Sequence, residues 1–243
     1  MTLPDPGKSY AQKRDALEHY FDRTAADAWR ALTSDEKVSK IRATVRAGRD
    51  DMRAAILATL GDDLSGAQLL DAGCGTGALA VAAAERGAAV TAIDVSPTMI
   101  EIARERTAMA VPAGATAGPG EIAFSAGDMS AAPDGPFTHV VAMDSLIHYE
   151  LPDIIEALSA WAPRVTGSIV FTIAPGTPML MAMHAVGGLF PRGDRAPAIA
   201  PVPPARLLKA IAATPALKDF TPGRTLRVSR GFYKSQLMEL VKR

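Results

Sequence analysis

Between residues 68 and 77 the chain reads Gln68-Leu69-Leu70-Asp71-Ala72-Gly73-Cys74-Gly75-Thr76-Gly77. Gln68–Asp71 is a short apolar run of the kind that forms a buried strand, and the alanine-rich stretch Leu79–Arg86 after the glycines reads as a helix. A strand, a glycine turn and a helix in that order leave unpaired N–H groups and the positive end of a helix dipole beside whatever the turn holds. Residues without a Cβ let the backbone approach that ligand closely. The glycines do not name the ligand, because Gly73-x-Gly75-x-x-Ala78 also fits the alanine-ended dinucleotide fingerprint. Asp71, two residues before the first glycine, narrows the choice. A carboxylate at the carboxyl end of the strand repels a pyrophosphate and suits a ligand with a cationic amino-acid group.

Outward from this turn, strands and helices alternate. Ala89–Asp94 is a second strand, and Ser96-Pro97 opens a helix running to about Ala110, with Ser as N-cap and Pro where a missing N–H costs nothing. The stretch 111–120 (VPAGATAGPG) reads as a surface insert. Ile122–Ser125, Thr138–Met143 and Ser168–Ala174 are strands three to five, and Pro152 opens a helix with Ile154, Leu158 and Trp161 on one face. This spacing predicts βαβ units and a doubly wound, mainly parallel α/β sheet. Thr177-Pro178 then starts a further helix, a loop covers Pro191–Pro204, a short helix lies around Leu207–Ile211, and 224–241 reads as an antiparallel strand pair about Gly231 that would complete a seven-stranded sheet. Residues 8–60 show helical rather than strand spacing, with Ser34 as a cap, and with Val38, Ile41, Val45 and then Met52, Ile56, Leu60 recurring along one face. The expected organisation is a helical extension or lid over 1–62, followed by a catalytic domain over 63–243 that carries an insertion at 175–215.

The 243 residues suffice for one full α/β domain with appendages. Twenty-six basic and 26 acidic side chains cancel without a run of either sign, which argues against a nucleic-acid scaffold. Cys74 is the single cysteine, so there is no internal disulfide, and no Cys or His stands near it at metal-ligand spacing. A reducing, cytoplasmic setting fits, no window reads as a membrane span, and no metal site of the protein's own is expected.

Two more acids sit at strand ends: Asp94, followed by Val95, where a carboxylate accepts from ribose hydroxyls, and Asp128, followed by Met129, where the pair suits an adenine amino group and ring. Asp144, at the end of strand four, is a further contact candidate. The form D-x-G-x-G-x-G resembles the turn of methyltransferases that use S-adenosylmethionine, a cofactor with an ammonium, a sulfonium and no phosphate. Gly73, Gly75 and Gly77 would form its cradle, with Asp71 toward the ammonium. Strand four leads into Asp144-Ser145-Leu146-Ile147-His148-Tyr149-Glu150 beside the sulfonium end, where His148 can orient or deprotonate a methyl acceptor.

From about Tyr20 to Leu240 the chain resembles the magnesium-protoporphyrin IX O-methyltransferases of bacteriochlorophyll and chlorophyll synthesis. The likeness rests on Tyr20-Phe21-Asp22 with Trp29-Arg30, the Asp71–Gly77 turn, Asp144–Glu150, Phe190-Pro191-Arg192-Gly193-Asp194-Arg195-Ala196-Pro197, and Ser229-Arg230-Gly231-Phe232-Tyr233. The last two stretches are the most particular. The resemblance implies methyl transfer to one propionate of the magnesium porphyrin, with Tyr20 and His148 as catalytic candidates. It also implies contact with the magnesium chelatase and a peripheral place on photosynthetic membranes, for which the helix at 178–190 is the nominee. Met179 and Met183 would wall a flat apolar slot, and Arg192 and Arg195 would pair with carboxylates. Three other readings stay open here: another small carboxylate, phenol or amine as acceptor, a nicotinamide oxidoreductase with Asp94 on the ribose, and a non-catalytic carrier of cofactor or porphyrin.

Overall fold

The computed structural model describes residues 10–22, 40–110, 120–131, 135–176 and 199–243. The Ser34 cap, the insert at 111–119, the helix expected after Thr177, and with it Met179, Met183, Arg192 and Arg195, lie outside the described residues.

Seven strands form one sheet in the order β3-β2-β1-β4-β5-β7-β6. They are β1 (Gln68–Ala72), β2 (Ala89–Asp94), β3 (Ile122–Ala126), β4 (Phe137–Ala142), β5 (Val165–Ile173), β6 (Phe220–Arg230) and β7 (Tyr233–Lys242). The first five are parallel, with Gln68 opposite Ala89 and Leu69 opposite His139, whereas β7 runs antiparallel to both β5 and β6. Chain order reverses between β1 and β4, so the crevice at their carboxyl ends is where such a sheet takes a ligand.

Alternating side chains feed two cores. Leu70, Val140 and Ile169 join one apolar cluster and their neighbours Leu69, Val141 and Val170 join the other, as the two-residue period of a strand requires. Helices α2 (Lys40–Leu60) and α3 (Ala78–Ala84) cover the second cluster, Met52 and Ile56 of α2 being fully buried. Helices α5 (Leu151–Trp161) and α6 (Pro204–Ala213) cover the first. Truncating Ile56 or Leu158 to alanine would cost about 2–5 kcal/mol, the range for a buried aliphatic side chain. Trp161, also fully buried, donates its indole N–H to the Met129 carbonyl at 3.0 Å, which ties this core to the loop after β3. Helix α4 (Pro97–Ala110) packs on β2 and β3, and α1 (Tyr10–Tyr20) lies over the strand ends. No helix among the described residues is long and apolar enough to cross a membrane.

Some boundaries differ from the sequence reading. Strand β5 starts at Val165, because Val165 pairs with Phe137 before a register shift, so the strand begins ahead of the run that looked apolar. Strand β6 begins at Phe220 despite Pro222, which is tolerated because β6 is an edge strand and its register slips between Pro222 and Thr225. Helix α3 ends at Ala84, two residues short of Arg86, whose guanidinium instead bonds the carbonyls of Leu57 and Gly61.

Candidate active site

The glycine turn is stapled to the end of β2. Gly73 and Cys74 both donate to the Ile93 carbonyl, and Gly75 donates to Asp94 Oδ2 at 2.8 Å. Gly73 has φ +83 and faces Ser145, so a Cβ there would collide with the serine side chain, whose hydroxyl donates to the Ala72 carbonyl. Gly75 has φ +54, and a Cβ built on it would meet nothing within 4 Å. The backbone is therefore bare on the side where a ligand would lie. Gly77, at φ +76, is the N-cap of α3.

The acids differ in what surrounds them. Asp71 is 1% exposed, and its Oδ2 has no hydrogen-bond partner among the described residues. Burial first, and the nearby charge of Asp94 second, push its pKa up to about 7. An oxygen of this kind is satisfied by an incoming ammonium or other donor. Asp94 is nearly as buried; burial raises its pKa, opposed by N–H donation from Ser96 to Oδ1 and from Gly75 to Oδ2. Asp128 is shifted the other way. Its partial burial opposes ionisation, but donation from Tyr10, Ser130 and Arg14 outweighs it and holds the carboxyl below its ordinary range.

Two cavities meet at this turn. The smaller, about 90 Å³, is lined by Gly73, Gly75, Asp94, Val95, Asp128, Met129, Asp144 and His148, together with Tyr10, Arg14 and Phe21 from the N-terminal segment. The larger, about 400 Å³, has Asp71, Gly73 and Cys74 on one wall and four arginines, Arg46, Arg49, Arg53 and Arg106, on the others. Arg49, Gly73 and Met143 line both. These residues fit S-adenosylmethionine: a donor-hungry buried acid for the ammonium, a bare glycine backbone, and two strand-end carboxylates with Met129 for the nucleoside.

At the acceptor end, β4 runs into a turn in which Asp144 adopts φ +55, and a short 3-10 turn follows over Leu146–His148. His148 is half-buried, its ring edge-on to Phe21 with centroids 6.4 Å apart. Asp144 accepts from Tyr233, Thr172 and Ser235 and lies 3.6 Å from Arg49 Nε. It borders the smaller cavity, yet its carboxylate is turned toward strands β5 and β7.

The structure thus brings Asp71 and Gly73 to the larger cavity and Gly73, Gly75, Asp94, Val95, Asp128, Met129, Asp144 and His148 to the smaller. Tyr20 ends α1 with its ring edge-on to Phe21 and lines neither cavity. What the sequence reading missed lies mostly on helices. Tyr10 donates to Asp128 Oδ1 at 2.7 Å and stacks on Tyr149, Arg14 reaches Asp128 Oδ2 at 3.3 Å, and Lys13 pairs with Asp153 at 2.6 Å. These contacts span more than a hundred residues, and no local signal announces them. Arg46, Arg49 and Arg53 did carry a signal: their i, i+3, i+7 spacing puts them on one face of α2.

The sheet order, the acid-headed glycine turn and the strand-end carboxylates define a class I S-adenosylmethionine-dependent methyltransferase. Residues 69–166 match the methyltransferase domain model, and residues 142–242 match that of the magnesium-protoporphyrin IX methyltransferase C-terminus. The magnesium-protoporphyrin O-methyltransferase of Rhodobacter capsulatus is 46% identical over 95% of this chain and 97% of its own. That of Synechocystis sp. is 28% identical over 93% and 95%. The crystal structure of magnesium protoporphyrin IX methyltransferase from Synechocystis PCC 6803 with bound SAH superposes with a TM-score of 0.78 at 26% identity, covering 95% of this chain and all of that one. This chain belongs to the magnesium-protoporphyrin O-methyltransferase family.

Proposed function

We infer that this protein transfers the methyl group of S-adenosylmethionine to a propionate carboxylate of magnesium-protoporphyrin IX, giving the monomethyl ester. The observation that carries the cofactor half is the pairing of a bare Gly75 with the unpartnered Oδ2 of Asp71. The acceptor half rests on full-length kinship with the Rhodobacter enzyme.

When bound, the cofactor supplies an electrophilic methyl group on a sulfonium that leaves as a neutral thioether. The residues have correspondingly little covalent chemistry to do. A propionate has a pKa near the roughly 4.3 of Glu, so it arrives ionised and needs no strong base. His148 in its neutral form can donate one hydrogen bond that holds the carboxylate in line with the methyl–sulfur bond. Tyr20, whose ring is edge-on to Phe21 of the smaller cavity's lining, would give a second donor on the family likeness. Leu17, Phe21 and Met99 give that cavity part of its apolar lining, a surface that disfavours competing water beside the reacting atoms. Met179, Met183, Arg192 and Arg195 complete this proposal as porphyrin contacts on the family likeness alone. Contact with the magnesium chelatase and a peripheral place on photosynthetic membranes belong to it on the same ground.

A titration tests the acceptor without turnover. With S-adenosylhomocysteine present, magnesium-protoporphyrin should bind saturably, read as a shift of its strongest absorption band, and an excess of a simple phenolic acceptor should not compete. An unshifted band at micromolar protein would contradict the assignment.

A further inference from the structure

Methyl transfer needs two loops to keep a fixed distance from each other. The glycine turn after β1 would hold the cofactor, and the turn after β4 carries His148. Strands β1 and β4 are registered by their pairing up to Asp71 opposite Val141. Past that pair the two chains leave the sheet separately, and Ser145 clasps them. Its hydroxyl donates to the Ala72 carbonyl at 2.8 Å. Its Cβ stands so close to Gly73 that a Cβ built on the glycine would lie 2.3 Å away. Two successive backbone positions of the cofactor turn thus rest against one side chain of the acceptor turn.

A serine that opens a helical turn ordinarily accepts from the backbone N–H groups of that turn. Ser145 is the N-cap of the 3-10 turn Leu146–His148, yet its side chain makes no cap bond. The hydroxyl is given to β1 instead. A 3-10 turn has three residues per turn, so residues three apart lie one above the other. Ser145, with φ −92 and ψ −43 in the helical region, and His148 therefore share one edge of the turn, and both line the smaller cavity. Leu146 between them is fully buried and keeps the turn seated. Resting on the reaction assigned above, we propose that Ser145 is a positioning residue that sets the offset between the cofactor's cradle at Gly73 and His148. A misplacement of about 1 Å between reacting groups can cost about a hundredfold in rate. A contact that fixes this offset therefore acts on the rate of transfer rather than on the affinity for either substrate.

A double-mutant cycle tests this, read as the maximal single-turnover rate of transfer to magnesium-protoporphyrin. The half-saturating porphyrin concentration and the calorimetric Kd for S-adenosylhomocysteine are measured on each protein. Ser145→Ala keeps the Cβ on Gly73 and removes the hydroxyl. It should slow transfer about tenfold, with the half-saturating concentration and the Kd each within about twofold of the wild type. His148→Ala alone should slow transfer about a hundredfold. Because Ser145 acts through His148, the double variant should be within about twofold of His148→Ala. Ser145→Cys, of nearly the same shape but a weak donor, enters the same cycle if the alanine variant does not fold. Independent effects would multiply to about a thousandfold in the double variant, and that result would overturn the inference. A Ser145→Ala protein with wild-type transfer would overturn it too. So would a weakened Kd at an unchanged rate, which assigns the serine to the cofactor cradle alone. These three results leave the assigned acceptor standing. A wild type that binds S-adenosylhomocysteine and transfers nothing to the porphyrin would overturn the acceptor and the inference together.

Discussion

The phenol of Tyr233 donates to both carboxylate oxygens of Asp144, at 3.0 Å each. Tyr233 opens β7 and Asp144 stands two residues past the end of β4, so one side chain ties the terminal hairpin to the turn that carries Ser145 and His148. The ring fits because Gly48 of α2 faces it; a Cβ at that position would run into the Tyr233 ring. Two residues earlier, Gly231 meets Thr44 of the same helix, and Arg230 bonds Asp51 at 2.6 Å. The stretch Ser229–Tyr233, so particular in sequence, is the clamp between hairpin, α2 and Asp144. Asp144 itself stands at φ +55, a conformation that costs a non-glycine residue about 1–3 kcal/mol and that these contacts must hold.

Tyr233→Phe keeps the ring on Gly48 and removes only the donor. Loss of a hydrogen bond to a charged group should cost about 1.5–3 kcal/mol in thermal unfolding. Turnover should fall about tenfold, with S-adenosylhomocysteine affinity nearly unchanged, because His148 loses its fixed turn and the glycine cradle does not. Unaltered stability and turnover would show that Thr172, Ser235 and Arg49 hold Asp144 without Tyr233.

Asp71 gives a pH dependence with a defined sign. Its pKa stands at about 7 in the fold against an ordinary 3.8, so the folded state binds this proton more tightly than the unfolded chain. Stability is then lost as pH rises from about 4 to about 7, by about 4 kcal/mol for a shift of three units. Asp71→Asn should flatten this slope and raise the melting temperature of the ligand-free protein at pH 8. It should also weaken S-adenosylhomocysteine binding, which in the wild type tightens between pH 6 and pH 8 as Asp71 ionises to meet the ammonium. Calorimetry at the two pH values checks both statements.

Helix α1 occupies Asp128. Tyr10 and Arg14 donate to its two oxygens, and the adenine amino group must compete with them. The double variant Tyr10→Phe, Arg14→Ala should bind S-adenosylhomocysteine about three- to tenfold more tightly, read by calorimetry. Weaker binding would show instead that α1 completes the nucleoside site.

His148→Ala should slow transfer by about a hundredfold, the lower range for loss of a positioned acid–base or hydrogen-bonding group. Cofactor affinity should stay as it is, since no strand-end carboxylate is touched. Single-turnover rates with calorimetric Kd separate the two effects.

The strands and the cofactor turn were legible in the sequence because their determinants are local. Short apolar runs alternating with helical stretches give β1 to β4 within a residue or two, and Asp71-x-Gly73-x-Gly75 carries its chemistry in its own spacing. The carboxylates were legible for the same reason, since a parallel sheet puts every strand end on one side. What α1 does was not, because Tyr10, Lys13 and Arg14 find their partners 118, 140 and 114 residues away. Attention to apolar spacing in α2 passed over the arginines on its other face, and a chain with balanced charge gave no prompt to count them. Asp144 was placed near the cofactor by its position after β4, while its bonds come from Thr172 of β5, 28 residues on, and from Tyr233 and Ser235 of the hairpin, 89 and 91 residues on.

Methyl transfer from methyl-labelled S-adenosylmethionine to magnesium-protoporphyrin IX, with metal-free protoporphyrin alongside and the products weighed by mass spectrometry, tests the assigned reaction itself. One methyl should be added per magnesium porphyrin, in a product that loses the label on ester hydrolysis. A protein that binds S-adenosylhomocysteine yet leaves the magnesium porphyrin unmethylated would contradict that assignment.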